Sequence, residues 1–234
     1  MSYLSGLVKK RIPRRIKEAA RRWHRSRAFD RAIRRIQALP PDAVITRQLL
    51  EQLRYGWGNL GWSANPEFLD QVQRQIATTY GPVLECGSGL TTILLGLLIR
   101  NREIELWSLE DDPEWCERVR SVVNLHGIDN VRVCLAPLRD YGEYTWYSPP
   151  VDEIPRDVQL VICDGPAAST PGGRYGLFSV MRSHLANQYV VLVDDADREG
   201  ERKMLERWER EHDGRMVVER TDHNCAVCTV SLRA

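Results

Sequence analysis

Apolar residues fall along this chain in two rhythms, and the rhythm changes near residue 66. Before that point the spacing is helical. Val8, Ile12, Ile16, Ala19 and Trp23 recur every three or four residues, and Phe29, Ala32, Ile33, Ile36 and Leu39 form a second stripe about a third of a turn round from the first. Pro13 suits a first helical turn, and Pro40 and Pro41 end the segment, so two helices or one bent helix are expected within it. After residue 66, short runs of branched apolar residues alternate with helical stretches. Strands are predicted at 82–85, 106–110, 131–135, 158–163 and 189–193, and helices at 66–80, 91–100, 113–126 and 200–212. Two alternating runs, 215–220 and 226–232, close the chain as a hairpin around 221–224.

Strands and helices that alternate with short connections predict an α/β domain with a mostly parallel sheet, completed by an antiparallel pair at its end. The 234 residues are 43% hydrophobic and 28% charged, close to globular averages, which excludes collagenous and disordered classes. The longest aliphatic stretch, Leu94 to Ile99, is far shorter than the roughly 18 residues a membrane span needs. Six cysteines lie scattered with no apolar leader before them, so free thiols and a cytoplasmic, reducing setting are expected. Cys225 and Cys228, three apart in a strand, face opposite sides and lack a second pair, so they read as packed thiols rather than zinc ligands.

Open parallel sheets bind ligands beyond the carboxyl ends of their strands. Polar residues follow four of the predicted strands. The first ends in Glu85-Cys86-Gly87-Ser88-Gly89-Leu90-Thr91-Thr92, where two glycines allow a sharp turn and the next helix aims its amides at a ligand. The third glycine of a dinucleotide fingerprint is replaced by Thr92, and Glu85 would repel a diphosphate, so a cationic or hydroxyl-bearing ligand is expected. The second strand ends at Glu110, placed to accept hydrogen bonds from ribose hydroxyls, while Asp112 before Pro113 reads as a helix cap. Asp164 follows the fourth strand, and Asp194 and Asp195 follow the fifth. Three clustered carboxylates suit a divalent cation; the competing reading is a ligand contact plus helix capping.

The order Val-Leu-Glu-Cys-Gly-Ser-Gly (83–89), Glu110, Ala136-Pro137-Leu138, Asp164-Gly165-Pro166 and Val-Leu-Val-Asp-Asp (191–195) resembles the class I S-adenosylmethionine-dependent methyltransferases. The likeness spans about 57–232 and is closest in pattern to metal-dependent small-molecule and sugar O-methyltransferases. It implies a Rossmann-like seven-stranded sheet and S-adenosylmethionine as cofactor. By that resemblance, Glu85, Gly87, Ser88 and Gly89 line the methionine portion, Glu110 takes the ribose, Ala136 borders the adenine and Ser63 covers the carboxylate. It also implies that Asp164 meets both cofactor and acceptor, and that Asp164, Asp194 and Asp195 hold magnesium. The acceptor would be a hydroxyl of a small molecule, sugar or glycan. Gly165 and Pro166 stand where related sugar enzymes carry a second acid, so the candidate bases are His223, His126 and Asp195, beside Asp164 as a further catalytic candidate. In the loop at 167–175, Arg174 is a candidate grip for an acidic group and Tyr175, or Trp57 from outside the loop, a candidate stacking surface, while Arg198 is placed to pair with the aspartates.

The net charge of +1 conceals a division. Residues 1–40 hold thirteen Lys and Arg against two acids, whereas 41–234 holds twenty against thirty. The expected organisation is a basic amphipathic helical arm (1–40) on an acidic methyltransferase-like domain (41–234). An arm of this kind suits packing on its own domain or in a homo-oligomer, peripheral attachment to an anionic membrane surface, or, less well, nucleic acid. An RNA-binding protein or RNA methyltransferase led by the arm is the alternative function.

Overall fold

The computed structural model describes residues 13–212, 214–221 and 224–232. Seven strands form one sheet: β1 (Val83–Cys86), β2 (Leu106–Glu110), β3 (Val131–Leu135), β6 (Val158–Cys163), β7 (Leu185–Asp194), β8 (Gly214–Arg220) and β9 (Cys225–Leu232). Their order is β3-β2-β1-β6-β7-β9-β8; the first five run parallel, and β9 pairs antiparallel with both β7 and β8. The parallel sheet and closing hairpin are thus as the sequence predicts. A small antiparallel pair, β4 (Leu138–Asp140) and β5 (Thr145–Tyr147), is an addition the periodicity does not foretell.

Alternation along each strand divides the core into two layers. On one face Val83, Leu160 and Ile162 pack with helices α3 (Pro66–Ala77), α4 (Leu90–Leu98) and α5 (Pro113–Leu125). On the other, Leu84, Cys86, Val161 and Cys163 pack with α6 (Gly176–Met181), α7 (Glu199–Glu211) and Trp146 and Tyr147 of β5. Cys225 and Cys228 are both buried, as packed thiols should be.

Among the described residues the basic segment forms one uninterrupted helix, α1 (Arg14–Gln37), followed by α2 (Arg47–Trp57), which was not foreseen. Phe29, Ala32, Ile33 and Ile36 are buried in the first core layer with Leu49, Leu50 and Leu53 of α2. Along α1 the exposed turns therefore give way to buried ones near residue 28. The two helices meet where Gly56 abuts Phe29: a Cβ on Gly56 would lie 2.5 Å from the Phe29 backbone nitrogen, so no side chain fits.

Candidate functional site

From β1 the chain steps outward to β2 and β3 on one side and later returns to β6 on the other, and a cavity of about 680 Å³ opens beyond the carboxyl ends at this switch point. Its floor is the turn from β1 to α4. Gly87 has φ +92° and lies so close to Gly165 that a Cβ would stand 3.0 Å from that residue's nitrogen, so the turn cannot carry a side chain there. At Gly89 a Cβ would meet nothing within 4 Å; its missing side chain leaves open cavity directly before the amides that start α4.

Glu85 is expected among the cavity's lining residues, and the structure places it elsewhere. Two residues beyond Val83, it shares that residue's face and points beneath α4. It is fully buried and accepts hydrogen bonds from Thr92 Oγ1 and Ser108 Oγ, each at 2.5 Å. Burial pushes its carboxyl up to about 7 against the pull of those hydroxyls. Thr92 relays this anchor upward by accepting from the Gly89 amide at 2.8 Å, so Glu85 shapes the turn from below.

Glu110 reaches the cavity. Ser88 donates to one of its carboxylate oxygens through both backbone nitrogen (3.1 Å) and Oγ (2.6 Å), and the amides of Asp111 and Asp112 donate to the other at 3.1 Å. Burial raises its pKa, opposed by these donors. Asp112 Oδ1 accepts from the Trp115 amide at 2.7 Å, which is the helix cap expected of it. Trp115 then donates from Nε1 to the Ser88 carbonyl (2.9 Å) and meets Trp57 edge to face, giving the cavity an aromatic wall.

Asp164, Asp194 and Asp195 come together across the cavity from Glu110, with one carboxylate oxygen of each within 4.8 Å of the others. Burial, then the neighbouring Asp164, pushes Asp194 up to about 7; burial also raises Asp164, against the opposing charge of Arg174. Asp195 has φ +55°, a left-handed conformation uncommon for a residue with a side chain, fixed by Asn224 Nδ2 at 3.1 Å and by Arg198 at 2.8 Å. The all-oxygen donor set is the kind a hard divalent cation takes.

Several expected residues land differently. Arg174 borders the cavity, yet its guanidinium is buried beneath the acids. It donates to the backbone carbonyls of Asp164 and Asp194 and lies 3.3 Å from the Asp164 carboxylate. It braces the two strand ends and is not extended toward an acceptor. Tyr175 does not line the cavity: Gly176 is pressed against Trp146 as α6 begins, turning Tyr175 toward α7, where its hydroxyl donates to Glu211 at 2.7 Å and Arg207 covers its ring. Ala136 is fully buried behind Glu110, its amide donating to the Glu110 carbonyl, and does not border the cavity. Ser63 does line it, on the loop between α2 and α3 that also carries the exposed Trp62. His223 lies outside the described residues. Tyr147 and Trp115 line the cavity without having been expected; a three-residue strand and an aromatic in a helix's first turn leave no periodic signal.

No helix among the described residues is long and apolar enough to cross a membrane. No protein-family model matches the sequence, and no curated protein matches it. Solved structures do. A Podospora anserina methyltransferase bound to S-adenosylhomocysteine is 13% identical, with 95% of this chain and 98% of that one covered at a TM-score of 0.58. An O-methyltransferase from Bacillus cereus, also with S-adenosylhomocysteine, is 15% identical over 83% of this chain and 93% of that one (TM-score 0.55). A methyltransferase from Geobacter sulfurreducens is 16% identical over 84% and 92% (TM-score 0.54). The sheet order, the closing hairpin and these likenesses together show that this chain shares the Rossmann-like fold of these methyltransferases.

Proposed function

We propose that this protein transfers a methyl group from S-adenosylmethionine to a hydroxyl of a small molecule, sugar or glycan. One observation carries the reading: Glu110 beside the glycine turn, and the three aspartates, face each other across a single cavity of about 680 Å³. S-adenosylmethionine supplies an electrophilic methyl group on a positively charged sulfur. The residues fit it. The open space at Gly89 and the amides of α4 accept the methionine end, Glu110 accepts from ribose hydroxyls, and the acidic rim provides the negative field a sulfonium favours.

On the opposite side, Asp164 and Asp195 are the carboxylates placed to receive the acceptor's hydroxyl proton as its oxygen attacks the methyl carbon and the carbon–sulfur bond breaks. Arg174 holds the strand ends that carry Asp164 and Asp194 at a fixed separation. Asp164, Asp194 and Asp195 would hold magnesium, whose charge lowers the pKa of a bound hydroxyl; Arg198 must then release Asp195. Calorimetric titration with S-adenosylmethionine and S-adenosylhomocysteine tests the reading: heat of binding is expected for both, and no heat with either overturns it. Turnover that persists in excess chelator would remove magnesium from the account and leave methyl transfer standing.

A further inference from the structure

Helix α1 changes its surroundings along its length. Phe29, Ala32, Ile33 and Ile36 are buried, but every residue from 13 to 27 is exposed except the partly covered Arg25. The outer half nevertheless has an apolar stripe, Ile16, Ala19, Ala20 and Trp23, with Ile16 57% and Trp23 62% exposed. At 3.6 residues per turn this stripe points roughly 140° away from the buried face. A single uninterrupted helix cannot press both faces on one body. The outer stripe is therefore turned away from the domain that holds the inner half.

Charge narrows what covers it. Between residues 14 and 27 stand seven Lys and Arg against one acid, Glu18, and Arg27 lies over the Trp23 ring at 4.9 Å. Nucleic acid would use the cations and leave Ile16 and Trp23 in water. A second copy could offer its own stripe, but that contact would bring together two helix segments that each carry seven Lys and Arg against one acid, and like charges repel. An anionic bilayer satisfies both features together: the stripe enters the acyl boundary while flanking guanidinium and ammonium groups meet phosphates.

We propose that the outer half of α1 docks this protein on anionic lipid surfaces through Ile16 and Trp23, with Arg15, Lys17 and Arg27 as electrostatic flanks. Arg22 and Arg25, from the same half, line a recess with Arg118 that shares Trp57 with the main cavity. On the methyl-transfer reading, a docked enzyme would meet acceptors carried at that surface; the docking itself does not rest on that reading.

The test is co-sedimentation of the full chain with phosphatidylcholine vesicles with and without phosphatidylglycerol. Retention is expected only with phosphatidylglycerol and should fall as salt is added. Each base removed should lower the partition coefficient about fivefold, so replacing Arg15, Lys17 and Arg27 by Gln costs on the order of 100-fold. The Ile16→Ser/Trp23→Ser pair should lower it at least about tenfold. Both variants replace exposed residues, so unchanged melting temperatures show that the fold is intact. Equal retention on neutral vesicles, or retention that survives both variants, overturns the proposal. So does failure to bind either vesicle combined with salt-sensitive capture by RNA, or with a dimer in light scattering that Trp23→Ser abolishes.

Discussion

The two sides of the cavity are built on opposite electrostatic plans. On the β1–β2 side Glu110, which lines the cavity beside Asp111 and Asp112, is oriented by four donors, three of them backbone amides. On the β6–β7 side three carboxylates crowd within 4.8 Å and are kept there by two arginines, one buried and one half-exposed. A group satisfied by its own backbone is suited to holding a ligand in one place. Acids held together against their repulsion are suited to taking up a proton or a cation. On the proposed reading, binding falls to one side and chemistry to the other, and each can be broken separately.

The largest effect is expected on the crowded side. Asp164→Ala and Asp194→Ala should each cut formation of S-adenosylhomocysteine by about 10²- to 10⁴-fold in an acceptor screen. Asp194→Ala should leave cofactor affinity within a few-fold of wild type by calorimetry. A loss of affinity as large as the loss of turnover would erase the division between the two sides.

Below the binding side, Glu85 gives a pH-dependent signature. Its folded pKa of about 7 exceeds the ordinary 4.5, so the folded state favours the protonated acid. The resulting cost is absent below about pH 4.5, grows between there and pH 7, and is complete above. Glu85→Gln should therefore stabilise the protein at pH 8 by about 2 to 4 kcal/mol and not at pH 4.5, measured by denaturant unfolding. A substitution neutral at both pH values would mean that Glu85 is not buried as described.

Glu110→Ala removes a carboxylate that accepts from ligand and loop, and should weaken binding of S-adenosylhomocysteine by about 1.5 to 3 kcal/mol, read by calorimetry. The smallest effect on stability belongs to Asp112→Ala, which loses the α5 cap: about 1 kcal/mol, read by denaturant unfolding.

The sequence discloses these two sides unequally. Strands 106–110, 131–135 and 158–163 end where the branched apolar runs end, because strands buried on both faces leave that record. The acids at their carboxyl ends were legible for the same reason. Direction was harder. Glu85 follows the glycine-turn pattern yet points beneath α4, since its orientation is fixed by alternation from Val83 and not by nearness to the turn. Arg174 and Tyr175 belong to a loop whose composition says nothing of facing, and the packing of Gly176 on Trp146 decides it. The β4–β5 pair, three residues to a strand, is too short to show a period. Helix α2 does carry a helical stripe, Leu49, Leu50, Leu53 and Trp57, a signal that went unread beside the stronger basic one.

The contact at Gly56 sets a mechanical condition on the projecting helix. Backbone touches backbone there, and any methyl group would wedge α1 from α2. Such a joint has no slack to act as a pivot, and its next residue is Trp57, part of the cavity wall. A load on the outer turns is thus carried as leverage into that wall rather than lost as swing.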